Sequence, residues 1–388
     1  MLRCGAETYR VEDSLYRICA AYGFSDCNLW VIPSNIQATV ISPEGEVLTQ
    51  IRHIKTTGNN FDHLDRLNDL SSLICKDTPA AEDLGKLLDD ILKRPALPSW
   101  TGYLAAAITG SGFSIFFGCD WLDAVTAACA AVLIIFLESK LNRRESNPLV
   151  FNLIITGITQ TFIIFAVRFG FGHHVGYISV GVMMLLISAM GTTIGISDLA
   201  HMHILSGLLN IIKSLNGAVG IALGVAIPLF LFKDISSNEI MSINPNAFIT
   251  LLMCTVACFG FAILYNLKGM KAYMCAVGAF VTWISYLIFF EFYPYSFVAT
   301  MFASAMCGIF ARIAARIAKT PTSIFTTISV FPVIPGATLY YTMYGFVTAN
   351  REFALAKALE LVLTCTAIVL GFMVVEIIYK YILRKKTP

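Results

Sequence analysis

The apolar run from Ser323 to Tyr341 contains Pro332, Pro335 and Gly336 near its middle. A run of this length can cross a bilayer as a helix, which takes about twenty residues. Proline lacks a backbone N–H and clashes with the carbonyl four residues earlier, and glycine loosens the same turn. The run therefore predicts a membrane helix that is broken near its centre. Such a break is either a kink that only shapes packing or, as we favour, part of a transport site.

The composition indicates an integral membrane protein. Hydrophobic residues make up 57% of the chain and charged residues 13%, whereas soluble chains carry about 25% charged residues. Residues 1–98 hold most of the acidic side chains and predict a soluble domain, and residues 99–388 predict a membrane part. The net charge of +2 comes with no basic, aromatic-rich patch. We therefore expect the lipid bilayer, and no nucleic acid, as a partner.

The first part of the chain predicts a small cytoplasmic α+β domain. Apolar residues recur with a helical period over 2–22, and Gly23 is placed to end that helix. Three strands and two further helices are expected from alternation, turn residues and capping signals, at 28–32, 36–42, 46–54, 61–75 and 79–93.

Hydropathy divides the remainder into ten predicted spans. They lie near 99–118, 121–138, 148–168, 176–196, 205–232, 246–266, 272–290, 295–317, 323–345 and 353–382. The positive-inside rule places both termini in the cytoplasm. We expect the protein to lie in the plasma membrane. The basic residues that carry this prediction are Lys140, Arg143, Arg144, Lys268, Lys271, Arg312, Arg316, Lys319, Arg384, Lys385 and Lys386.

Two weak internal similarities predict an inverted repeat. Residues 112–117 resemble residues 260–265, and Gly191-Thr-Thr resembles Gly336-Ala-Thr at a similar spacing. Halves at 99–232 and 233–388 would each hold five spans. An odd number of spans makes the second half cross the membrane in the opposite sense. The expected fold class is thus an α-helical polytopic membrane protein with two five-helix inverted repeats.

Three motifs resemble the threonine/serine exporter family and the related two-subunit succinate exporters. They are the opening segment from Leu2 to Glu12, Asp198 with Gly207, and the run from Val333 to Gly336. The resemblance covers nearly the whole chain, which looks like a fusion of two halves. It implies export of a small polar metabolite, either a hydroxy amino acid such as threonine or serine or a C4-dicarboxylate such as succinate. Met190 precedes Gly191, where the family has a proline.

Ionisable and polar residues inside the predicted spans are candidates for the substrate path. Lys213 and Lys357 would be cations near opposite mouths of one path, or lysines that extend to the membrane interface. Asp198 would relay a proton or gate the site, or would only cap a helix or bind water. Gln160 would bind substrate or join helices. The full predicted path is Pro335, Gly336, Thr338, Gly191, Thr192, Thr193, Gln160, Lys213, Asn216, Lys357 and Glu360.

The charged face of the first helix carries the remaining candidates, Gly5, Glu7, Arg10 and Glu12. We expect it to dock the domain on the membrane part. A hydrolytic role is the alternative, although no nucleophile–base pair or phosphate loop is near.

No catalytic residue, cofactor or metal site is predicted. The pairs His173–His174 and His201–His203 lie in loops without supporting carboxylates and are expected to be surface histidines. We expect a secondary transporter driven by an ion gradient, because no Walker motif is present. A passive channel is the other alternative, and a homo-oligomer is compatible with the sequence.

Overall fold

The computed structural model describes residues 1–54, 58–95, 97–141, 147–232 and 246–384. Among its described residues, the N-terminal part has three α-helices and three strands. In chain order these are α1 Thr8–Ala21, β1 Ser25–Ile32, β2 Asn35–Ile41, β3 Val47–His53, α2 Phe61–Asp77 and α3 Ala81–Leu92. The strands form one antiparallel sheet in the order β1-β2-β3. Val31 of β1 is buried and its carbonyl accepts a bond from Ser206 Oγ of the helical part, whereas every residue of β3 is exposed. The sheet therefore contacts the helical part through β1 and leaves β3 open to solvent.

The prediction of one helix over 2–22 was wrong at its beginning. Leu2–Cys4 form a short 3-10 turn, and α1 begins only at Thr8. Gly5 separates the two because its φ of 91° lies in the left-handed region, which a continuing α-helix cannot contain. The apolar periodicity on which the prediction rested lies within α1.

Twelve helices follow in the part of the chain that the structure describes. They are α4 Ser99–Phe116, α5 Trp121–Leu141, α6 Pro148–Arg168, α7 Val175–Met183, α8 Ala189–Ala200, α9 Ile204–Leu231, α10 Ala247–Leu264, α11 Met270–Phe292, α12 Ser296–Ala318, α13 Thr322–Ser329, α14 Gly336–Val347 and α15 Arg351–Arg384.

The helical part has the character of a membrane protein. Among the described residues, seven helices are long and apolar enough to cross a membrane, namely α5, α6, α9, α10, α11, α12 and α15. The pair α13–α14 makes an eighth span if it is counted as one. Large apolar side chains such as Leu215 and Leu359 are exposed on these helices, as expected for surfaces that face lipid.

The predicted break at the proline–glycine run is present. Helix α13 ends at Ser329, a 3-10 turn covers Phe331–Val333, and α14 begins at Gly336. The two halves are bent by 48°. Pro335 precedes the first residue of α14, a position where its missing N–H costs nothing.

A second break occurs without any proline. The single helix predicted over 176–196 is instead α7 and α8, separated by Met184–Ser188. Gly191, the glycine of the second internal similarity, lies inside α8. A Cβ added to Gly191 would come within 2.4 Å of Ser214 Oγ of α9. The lack of a side chain at Gly191 therefore allows α8 to pack closely on α9.

The two breaks are in contact with each other. A Cβ added to Gly336 would lie 2.5 Å from Met184 Sδ and 3.1 Å from Ile187 Cδ1, both in the α7–α8 break. Nearby, the hydroxyls of Thr193 in α8 and Thr327 in α13 are 3.1 Å apart. The centre of the helical part is thus built from two interrupted helices that meet at their irregular segments.

Helices α4 and α10 pack through small residues in a reciprocal way. A Cβ on Gly112 would meet Ala257, and a Cβ on Gly260 would meet Thr109. Thr109 Oγ1 also donates to the carbonyl of Ala257 at 3.3 Å, across a separation of 148 residues. Gly112 and Gly260 are the glycines of the first internal similarity. Each of them packs on the helix that contains the other.

Candidate functional site

The start of α1 is capped by a side chain from α8. Glu7 precedes α1 but makes no capping bond. Instead, Asp198 Oδ1 accepts the backbone N–H of Thr8 at 2.9 Å and that of Tyr9 at 3.4 Å. Asp198 is fully buried. The first N–H groups of a helix have no partner within it. Asp198, a residue of the helical part, therefore supplies the missing acceptor for two of these groups in α1.

Other residues of the opening segment contact the same region. Ser197 Oγ donates to Glu7 Oε1 at 2.9 Å, and Arg10 Nε lies 3.7 Å from Glu7 Oε2. Gly5 packs directly on Met190, since an added Cβ would lie 1.4 Å from Met190 Cε. Met190, which stands where the family has a proline, is therefore the residue that Gly5 contacts.

A cluster of charged side chains adjoins this contact. The Tyr9 ring stacks on His201 with 3.6 Å between ring centres. His201 Nε2 lies 3.0 Å from Glu376 Oε1, and Arg312 binds the other oxygen of Glu376. The cluster thus joins α1, the end of α8, α12 and α15.

The prediction that His201 and His203 are surface histidines without carboxylates was wrong. His201 is paired with Glu376, as above. His203 Nδ1 lies 3.9 Å from Glu12 Oε2, and both side chains are only about one-fifth exposed. The carboxylates come from segments far away in the sequence, so inspection of each loop alone could not reveal them.

These contacts surround a cavity of about 660 Å³, which we call the interdomain cavity. Its walls come from α1, α8, α12, α13 and α15. Thr193 and Thr326 lie on the wall, so the cavity reaches the helices on both sides of the contact between the breaks. Four arginines also line it, namely Arg10, Arg17, Arg312 and Arg316.

Three of the four arginines are already paired with acids. Arg10 faces Glu7, Arg17 lies 2.8 Å from Asp13, and Arg312 binds Glu376. Arg316 is exposed and has no acidic partner among the described residues. The cavity wall therefore offers a cation that could bind an anionic group of a small molecule.

The predicted path residues in the broken helices lie close to the centre. Gly336 is buried, while Pro335, Thr338, Gly191 and Thr192 are half-buried. Thr193 is 8% exposed and lines the interdomain cavity. Thr192 Oγ1 donates to the carbonyl of Ser188 within the same segment. Of these residues, Thr193 is the one that lines the interdomain cavity.

The other predicted path residues lie elsewhere. Lys213 and Asn216 are exposed on α9. Lys357 and Glu360 are half-buried on α15 and form an ion pair of 2.7 Å. Gln160 of α6 is fully buried, and neither its Oε1 nor its Nε2 has a hydrogen-bond partner among the residues that the structure describes. Arg143, Arg144, Lys385 and Lys386, used above to predict orientation, lie outside the described residues.

Sequence reasoning missed the roles of Arg312, Arg316, His201 and Tyr9. The two arginines were interpreted as charges that mark a cytoplasmic helix end. Glu376 gave a usable signal, because it is an acid within an otherwise apolar stretch, which is costly without a partner. A search for basic residues at the same predicted depth would have found Arg312.

Comparison with known proteins supplies the family. Residues 1–232 match a family model described as a threonine/serine exporter, and residues 250–378 match a second, described as Threonine/Serine exporter, ThrE. No curated protein matches the chain, and no solved structure matches it. The first family model alone covers more than half of the chain, and the buried contacts of Gly5, Glu7 and Asp198 lie within its match. The chain therefore belongs to the threonine/serine exporter family.

Proposed function

We propose that this chain exports a small polar metabolite that carries a carboxylate, such as threonine, serine or a C4-dicarboxylate, by secondary transport. The observation that carries the proposal is the interdomain cavity, which reaches the broken helices and presents arginines. Broken membrane helices are the usual construction of transporter sites. A cavity of about 660 Å³ also falls in the size range of small-molecule sites.

Substrate would enter the cavity from the cytoplasm. The basic end of α12 and the N-terminal domain lie on the same side, and basic residues are enriched on cytoplasmic sides. We therefore place both termini in the cytoplasm and the protein in the plasma membrane. The contacts of Glu7, Arg10 and Glu12 with the helical part favour a docking role for the first helix over a hydrolytic one.

An inverted repeat would explain how such a site alternates between the two sides. In this proposal α4–α9 and α10–α15 are the halves, with ten crossings if each broken pair counts as one. Three observations support it: the reciprocal packing of α4 and α10, the presence of one broken span in each half, and the contact between the breaks. Rocking of one half against the other about these breaks would expose the site alternately.

The proposal is tested by efflux from proteoliposomes preloaded with threonine, serine or succinate. Saturable efflux of at least one substrate that rises with an imposed proton or sodium gradient is expected. Efflux that is saturable but independent of any gradient would indicate a passive channel. No efflux of any carboxylate, from protein that is correctly folded and inserted, would contradict the proposal.

Arg316 should contribute to substrate affinity. Loss of a charge-assisted bond to a carboxylate costs about 1.5–3 kcal/mol, so Arg316→Gln should raise KM for the exported substrate by about tenfold or more. Lys319→Gln is the matched control, because Lys319 is an exposed cation three residues away that does not line the cavity. Equal KM values for the two variants would exclude Arg316 from the binding site.

Lys213 and Lys357 remain a predicted pair of cations along the path. If both guide an anionic substrate, Lys213→Met and Lys357→Met should each lower kcat/KM by several-fold, less than loss of a direct contact. Lys213 is exposed and Lys357 is already paired with Glu360, so the charge of each acts weakly on a distant anion. The effects should shrink as salt is raised, since salt screens such charges. Wild-type rates in both variants would show that these lysines only reach toward the membrane interface.

A further inference from the structure

Two aspartates and two histidines meet at the end of the helical part away from the N-terminal domain. Asp120 and Asp123 lie at the start of α5, and His173 and His174 precede α7. His173 Nδ1 is 2.6 Å from Asp120 Oδ2, and His174 Nδ1 is 2.7 Å from Asp123 Oδ2. The prediction that this histidine pair has no supporting carboxylate was therefore wrong. The two segments are 50 residues apart in the sequence.

The backbone holds this cluster in place. Asp120 Oδ1 accepts the N–H of Asp123 at 2.9 Å, and Asp123 Oδ1 accepts the N–H groups of His173 at 2.6 Å and His174 at 3.2 Å. Thr126 Oγ1 donates to the carbonyl of Phe171. Because these bonds fix both loops, the ring of His173 and Oδ2 of Asp120 are already held facing each other.

We propose that Asp120, Asp123 and His173 form a binding site for a divalent transition-metal ion such as Zn²⁺. One ligand atom from each of the three residues lies within 4.8 Å of the others. Imidazole and carboxylate are established zinc ligands, and three protein ligands leave a fourth position for water. This proposal does not depend on the transport function.

His174 is the positioning residue of the site. Its Nδ1 lies 2.7 Å from Asp123 Oδ2 and so fixes one oxygen of that carboxylate. Partners of this kind, which bind a ligand rather than the metal, commonly tune metal affinity by about 10–100-fold. Asp123 itself is fully buried, whereas the side chain of His173 is 61% exposed, so an ion can reach the site from solvent.

Metal binding would break the hydrogen bond between His173 Nδ1 and Asp120 Oδ2. The proton of that bond would move to Nε2 of the same ring or leave to solvent, because imidazole binds a metal through a deprotonated nitrogen. The freed Nδ1 and Oδ2 would then both be available as ligands.

The test is calorimetric titration of the purified full-length protein with Zn²⁺. We expect one ion per chain with a saturable isotherm. His173→Ala and Asp120→Asn should each lower the affinity at least about tenfold, and His174→Gln should lower it by about 10–100-fold. His53→Ala is the matched control, because His53 is an exposed histidine on β3 outside the cluster, and it should bind as the wild type does.

Two results would overturn the proposal. The first is the absence of saturable binding to wild-type protein, together with a lower Tm for His173→Ala, which would show that the cluster is only a hydrogen-bonded clamp between loops. The second is equal binding by wild-type and His173→Ala protein of unchanged Tm, which would place the ion elsewhere. X-ray absorption at the zinc edge should show nitrogen and oxygen ligands only. A sulfur ligand would contradict the assignment.

Discussion

Export by a Gly5→Ala variant should fall at least about tenfold below the wild-type rate. Gly5 has φ of 91°, which costs other residues about 1–2 kcal/mol, and the new Cβ would lie 1.4 Å from Met190 Cε. Both effects push the opening segment away from α8. A loss of about 1.4 kcal/mol from this contact lowers the equilibrium constant for the docked state tenfold. Efflux from proteoliposomes measures the rate. Hydrogen exchange at the Thr8 amide, which Asp198 holds in the docked state, measures the contact itself.

Gly45→Ala separates the two causes. Gly45 has nearly the same backbone angle, with φ of 88°, but no atom of the described residues lies within 4 Å of an added Cβ. This control should export at close to the wild-type rate, and Met190→Ala should partly restore Gly5→Ala. If Gly45→Ala loses as much export as Gly5→Ala, backbone strain in the domain explains the loss and the contact with Met190 does not.

Substitution of Gly336 by alanine should slow export by between about fivefold and a hundredfold. The added methyl group would overlap Met184 Sδ at 2.5 Å and press on Ile187, and overpacking of this kind typically costs about 1–3 kcal/mol. The cost falls on the contact between the two broken helices. In the proposed mechanism one half of the protein rocks against the other about this contact. Met184→Ala in the same chain should recover most of the rate by removing the overlapping atom.

Gly102→Ala provides the comparison for Gly336→Ala. Gly102 lies in α4 and has open space where its Cβ would be, so its substitution adds a methyl group to a helix without a clash. This variant should retain wild-type efflux. Wild-type efflux by Gly336→Ala itself would show that close packing of the two breaks is unnecessary for transport.

Much of the helical part could be predicted from the sequence, for an identifiable reason. Long apolar runs end at Pro, Gly and charged residues, which place the ends of α6 and α9 within one residue of the prediction. The break before Gly336 follows from two prolines, because proline acts through its own covalent structure. Each of these features is local, and local chemistry is visible in a sequence.

The break at Met184–Ser188 could not be predicted in the same way. None of its residues excludes a helix, and its irregular backbone is supported by packing of Met184 and Ile187 on Gly336. The charged cluster of the interdomain cavity was hidden for a similar reason. His201, Arg312 and Glu376 are far apart in the sequence, and only the folded arrangement of α8, α12 and α15 brings them together.

The capping of α1 by Asp198 has a consequence for biosynthesis. The acceptor of the Thr8 amide lies 190 residues further along the chain. At about 5–20 residues per second, ribosomes need roughly 10–40 s to make that stretch. During this interval the N-terminal domain has emerged while the first N–H groups of α1 lack their final partner. The domain therefore reaches its finished form only after α8 has been made. A well-ordered start of α1 would thus indicate that the membrane part has assembled at least as far as α8.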